Sequence, residues 1–165
     1  MTEDGASNNE LLLAACKEDN LEILDKVLSS DPSTFDINFT DGLGNTPLHY
    51  AARNASIECL EVLLYFDGIK VNIQDRLEGD TSLHKAAAYR DPTLALHMVV
   101  LLVKHGASLN VLNKLKQKPV DIAPSDTHGE VKEYLERAAL SAQVDLRDIA
   151  NDDDEDSDGV PSDDE

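Results

Sequence analysis

Five histidines (His49, His84, His97, His105 and His128) and two cysteines (Cys16 and Cys59) are the residues that could ligate a metal or act as a base or nucleophile. No histidine has a Cys, Asp or Glu partner at metal-ligand spacing. The chain contains no glycine-rich phosphate loop, no nucleophile elbow and no His-Glu-x-x-His. Asp152 to Asp156 offer carboxylates to a calcium ion, but the glycine turn and closing glutamate of an EF-hand loop do not follow. The expectation is therefore a protein that is not an enzyme, with no catalytic residue, no cofactor and no metal. Both cysteines fall at apolar positions and are read as buried thiols, not as a disulfide framework, which suits a reducing compartment.

Two of the histidines have a structural explanation. Thr46-Pro47-Leu48-His49-Tyr50-Ala51-Ala52 is answered by Thr81-Ser82-Leu83-His84-Lys85-Ala86-Ala87, 35 residues later. Each stretch writes a helix start. The threonine hydroxyl can accept from an unpaired N–H of the first turn. Proline at the first helical position costs no hydrogen bond. Histidine at the third position can reach back to the cap, as glutamate does in a capping box. Leu48, Ala51 and Ala52, with Leu83, Ala86 and Ala87, form small-residue faces on which another helix can lie. A repeat of this period implies stacked units that share one core.

These residues, with the ending Gly106-Ala107-Ser108-Leu109-Asn110, resemble the ankyrin repeat, whose signature is T-P-L-H-x-A-A, a second helix and G-A-x-x-N. The resemblance implies an all-α fold: an ankyrin-repeat solenoid of four helix–turn–helix repeats joined by β-hairpin-like fingers, the outer repeats degenerate. The expected organisation is a disordered 1–8, an ankyrin repeat domain at 9–140 with repeats at about 9–40, 41–74, 75–112 and 113–140, and an acidic, mostly disordered tail at 141–165. Repeat one lacks Thr-Pro and His and is read as a cap. Repeat four has Lys118-Pro119-Val120-Asp121 where the signature belongs; lysine cannot cap, and Pro124 stops the helix early. Glu78 is an extra finger residue, and Asp91-Pro92 should open the second helix of repeat three. Two pairs spaced by four, Glu133 with Arg137 and Lys132 with Glu136, suit an exposed helix face.

In ankyrin-like stacks the fingers and first helices line a concave face where partners bind. Carried over position by position, the partner-binding candidates are Leu43, Asn45, Tyr50, Arg53, Asn54, Arg76, Leu77, Lys85, Tyr89, Lys114 and Leu115, with Lys17, Ala88 and Gln117 beside them. Leu43, Leu77 and Leu115 hold the same place in three fingers. Tyr50 and Tyr89 supply the aromatic area enriched in binding hot spots.

The formal net charge is −19, from 33 acidic and 14 basic residues. Such a balance argues against nucleic acid and anionic membranes as partners and toward proteins. No apolar run is long enough to span a membrane, and Met1 to Asn9 does not read as a signal peptide. Against this background Arg53, Arg76, Lys85, Arg90, Lys114, Lys116 and Lys118 all map to fingers, inner helices or their ends. The expectation is a monomer, cytoplasmic, nuclear or both, that binds a protein partner through a locally basic groove. Two narrower roles are also open: an escort chaperone holding a basic client such as a ribosomal protein or histone on its acidic tail, and an assembly or regulatory subunit of a larger complex. The tail could also fold back on the groove. Ser162, flanked by Asp163, Asp164 and Glu165, is a candidate phosphosite for an acidophilic kinase.

Overall fold

A computed structural model describes residues 7–159, with side chains described through Val144. Eight α-helices follow in order: α1 (Asn8–Glu18), α2 (Leu21–Leu28), α3 (Pro47–Arg53), α4 (Ile57–Leu64), α5 (Ser82–Ala87), α6 (Pro92–Lys104), α7 (Pro119–Ile122) and α8 (Gly129–Gly159). They pair as α1–α2, α3–α4, α5–α6 and α7–α8. The odd-numbered helices stack on one another as an inner layer, and the even-numbered ones pack behind them as an outer layer. Among the described residues the fold is all helical; the fingers between repeats are turns, not strands.

The two signature stretches fold alike. Thr46 Oγ1 accepts from the His49 N–H at 3.2 Å, while His49 Nδ1 accepts from the Thr46 N–H at 3.1 Å. Thr81 and His84 repeat this at 3.3 and 3.0 Å. Because Nδ1 must accept, Nε2 carries the proton and donates into the next repeat: His49 to the Asp80 carbonyl, His84 to the Gln117 carbonyl, both at 2.9 Å. Each cap is thereby also a cross-link between repeats. Asn38 and Asn72 do the same work behind, bridging to Gly68 and Lys70 and to Gly106 and Ser108 respectively.

Burial drives the His49 imidazole below its usual range, against the opposing pull of the Asp80 carbonyl and the Asp75 charge. The unfolded chain gains a proton near pH 6.5 that folded His49 refuses until lower pH. Stability from this group is therefore complete above about pH 6.5 and is lost as pH falls through the depressed folded value. Denaturant midpoints taken between pH 8 and 5 should fall below pH 6.5, and His49→Asn should flatten that fall.

Where the degenerate repeats differ from expectation, local chemistry gives the reason. In repeat one Ser7 Oγ accepts from the Glu10 N–H and Glu10 answers from its carboxylate, so α1 starts one residue before the expected boundary. Residues 1–6 lie outside the described residues. Lys118 makes no side-chain cap, but Asp121 accepts from its N–H at 2.9 Å, and α7 lasts only to Ile122 before Pro124. The Glu133–Arg137 pair forms at 2.6 Å. The Lys132–Glu136 pair does not, because Lys132 Nζ reaches the Val120 carbonyl instead, at 2.8 Å, and ties α8 to α7. In repeat three Asp91 caps α6 and Pro92 opens it, as expected. Helix α8 continues to Gly159, into the stretch expected as an acidic, mostly disordered tail. Ser162 lies outside the described residues.

The core is one continuous seam of leucine, alanine and valine from Leu12 to Leu135. Cys16 and Cys59 are buried free thiols where repeats one and two meet; the Cys59 sulfur beside it and burial push the Cys16 thiol up. No helix among the described residues is long and apolar enough to cross a membrane.

Candidate partner-binding face

Three fingers, numbered two, three and four after the repeats they open, are each built on one side chain at the base. Asp41 accepts from the N–H groups of Leu43 and Asn45, Asp75 from those of Glu78, Gly79 and Asp80, and Asn113 from those of Leu115 and Gln117. Such side-chain-to-backbone bonds fix a tight turn without strands. Neighbouring fingers are then joined by main chain: the Arg76 N–H donates to the Leu43 carbonyl at 2.8 Å, and the Lys114 N–H to the Glu78 carbonyl at 2.9 Å.

The fourth residue after each cap answers the base of its own finger. Tyr50 donates its hydroxyl to Asp41. Lys85 pairs with Asp75 at 3.4 Å, with Asp80 at 3.2 Å and with Glu78 at still closer range. In repeat four that place is Ile122, and the finger base is the neutral Asn113. Burial works against the Lys85 ammonium, but Glu78, Asp80 and Asp75 outweigh it and raise its pKa. Burial likewise works against the Asp75 carboxylate, and the Glu78 N–H, Lys85 and the other finger N–H groups outweigh it and hold Asp75 below the usual carboxylate range.

These contacts rearrange the candidate set. Asn45 and Tyr50 are buried and are not presented to a partner. Asn45 is enclosed beneath its finger, and Tyr50 turns toward Asp41 with Lys17 and Arg53 over its ring at 4.6 and 5.6 Å. Lys85, with a side chain only 10% exposed, is neutralised by its three carboxylates and is no free cation. Tyr89 is half-buried; its carbonyl accepts from His128 Nε2 and Arg90 lies over its ring. Asn54 is exposed, but its amide donates to the Tyr50 carbonyl and closes α3. Lys114 Nζ donates to the Arg76 carbonyl.

What remains presented is a row of fingertips. Leu43, Leu77 and Leu115 are 48%, 62% and 78% exposed, and Arg53, Arg76 and Arg90 are exposed around them. Between the third and fourth fingers lies a cavity of about 440 Å³, walled by Leu77, Leu115, Ala88 and Ile122 with Glu78 and Asp80 at its edge. A second, of about 370 Å³, continues from Glu78, Asp80 and Ala88 to Arg53 and Arg90. Ile122 and Asp80 are lining residues that sequence reasoning missed. Ile122 was within reach, since it holds the place of Tyr50 and Lys85 in the repeat. Asp80 needed the fold, because it enters the groove only through its bonds to Lys85 and Asn113.

Comparison with known proteins agrees with this architecture. A family model described as ankyrin repeats (three copies) matches residues 2–75, and a single ankyrin-repeat model matches residues 78–114. An ankyrin repeat-containing protein of Saccharomyces cerevisiae is 34% identical over 169 residues, covering 97% of this chain and 92% of that one. The nuclear factor NF-kappa-B p105 subunit of Gallus gallus is 28% identical over 163 residues, 95% of this chain but 16% of that protein. NF-kappa-B inhibitor zeta of Homo sapiens is 31% identical over 88 residues, 53% of this chain and 12% of that protein.

Proposed function

Because the chain belongs to the ankyrin-repeat family, a family of protein–protein interaction modules, we propose that it is a non-catalytic binding protein whose partner lies on the concave face, across the tips and groove of fingers three and four. The observation that carries this is the pair Leu77 and Leu115. They stand exposed over an apolar cavity while the residues that brace the fingers are buried. Apolar fingertips have no role in holding the stack, and an apolar pocket rimmed by polar groups is how an interface anchors a partner side chain. The two free thiols, Cys16 and Cys59, support work in a reducing compartment, the cytoplasm or the nucleus.

Site-specific photo-crosslinking tests the assignment. A crosslinking amino acid at Leu77 or Leu115 should capture the partner in cells, and one at Tyr65 should not. Tyr65 is as exposed as Leu115 but stands on the outer layer, edge-on to His105. Capture from Tyr65 alone would overturn the concave reading. A stable stoichiometric complex among the products would mark an assembly subunit; a basic client held also through the acidic C-terminus would mark an escort.

A further inference from the structure

The concave groove has an uneven charge distribution. The carboxylates that line it are already spent. Asp75 and Asp80 have side chains 1% and 9% exposed, both face Lys85, and Glu78, though exposed, is bound to the same ammonium. Asp80 also accepts from the Asn113 amide at 2.9 Å. The cations around them are not spent. Among the described residues Arg53, Arg76, Arg90, Lys116 and Lys118 are exposed and make no ion pair. In a chain of net charge −19 the groove therefore presents unneutralised positive charge to a ligand. That charge brackets the apolar cavity: Arg53 and Arg90 line the continuation on one side, and Lys116 and Lys118 follow Leu115 in sequence on the other.

Resting on the concave-face reading above, we propose that the occupant is an acidic linear segment of a partner protein. It sets one leucine- or phenylalanine-sized side chain between Leu77, Leu115, Ala88 and Ile122 and lays its carboxylates against Arg53 and Arg90. The cavity of about 440 Å³ has room to seat such a side chain. Guanidinium groups are suited to the flanks, because they bind carboxylates through paired N–H donors and give up water more readily than ammonium groups. At about 0.15 M salt the screening length is about 8 Å, so a ligand in the groove feels these cations and little of the acidic body beyond.

Three short fluorescein-labelled peptides test this on the full chain at that salt: Glu-Asp-Glu-Leu-Phe-Asp-Glu-Asp, the same with every acidic residue replaced by lysine, and the acidic form with Leu-Phe replaced by Ser-Ser. The first should bind about tenfold or more tighter than either control. Arg53→Glu with Arg90→Glu should remove that binding and transfer it to the lysine peptide; Arg53→Gln with Arg90→Gln should remove it without transfer. Thermal melts of both double variants should keep a single cooperative transition, lowered equally in the two by the loss of the exposed contacts of Arg53 and Arg90 with the Tyr50 and Tyr89 rings. Tighter binding of the lysine peptide to the unaltered chain, lost in Leu115→Ser, would overturn the acidic ligand and leave the concave face standing. Acidic-peptide binding that survives both the arginine reversal and Leu115→Ser would overturn the proposal. So would no binding of the acidic peptide up to about 1 mM; the crosslinking result then decides the concave face by itself.

Discussion

Leu83→Ala is expected to lower the unfolding free energy by about 2–5 kcal/mol, the range for a fully buried leucine whose cavity cannot collapse. Leu83 is 1% exposed on α5, which packs against α3 on one side, α7 on the other and α6 behind. Its removal loosens three interfaces at once. Val120→Ala should cost about 1 kcal/mol, because the residue is only half-buried and its short helix ends the inner layer with α5 and α8 as neighbours. In a stack where each repeat contacts only its neighbours, damage in the middle spreads both ways and damage at an end spreads one way. Urea melts of the two variants, followed by helical circular dichroism, test this. Equal midpoint shifts would contradict a stacked core.

The second large effect is expected at a residue with no side chain. Gly44 has φ +82°, and a Cβ built there would stand 2.7 Å from the Arg76 backbone nitrogen. That nitrogen is the one that donates to the Leu43 carbonyl and joins the second finger to the third. Gly44→Ala thus combines a left-handed backbone, costing about 1–2 kcal/mol for a residue with a Cβ, with a clash against main chain that cannot rotate away. A total of about 2–4 kcal/mol is expected. Gly42→Ala, in the same finger, meets nothing within 4 Å and should be near neutral. Gly79→Ala should fall between them, its Cβ lying 3.0 Å from the Lys114 nitrogen. Denaturant melts of the three variants give the order, and amide exchange at Arg76 should accelerate in the first. A Gly44→Ala protein as stable as Gly42→Ala would show that the finger-to-finger bond contributes nothing.

The parts of the fold that could be read from the sequence were those written in local chemistry. Thr46 and His49, Thr81 and His84, and Asp91 with Pro92 specify helix starts within three residues, and the structure has each of them. Ser7 with Glu10 follows the same rule and could have been read too. The parts that escaped depend on partners distant in sequence. Nothing next to Tyr50 says that its hydroxyl turns back to Asp41, nine residues away, and takes the ring out of the groove. Nothing next to Lys85 says that Asp75, Glu78 and Asp80 converge on it. The candidates read from the repeat accordingly mix buried struts, such as Asn45 and Tyr50, with exposed fingertips, such as Leu77 and Leu115. The fingertip leucines were legible because exposure at a turn follows from the repeat alone.

The bond from Asn113 to Asp80 limits how this chain can lengthen. Tandem duplication is the ordinary genetic route by which repeat arrays grow. A second copy of 75–112 inserted after the first would bring another Asp75 to the place of Asn113, opposite Asp80. An amide donor would be replaced by a carboxylate, and two negative charges would share a nearly dry seam, which favours holding a proton or parting the repeats. A duplicated repeat three would therefore keep this bond only if asparagine replaced the second Asp75.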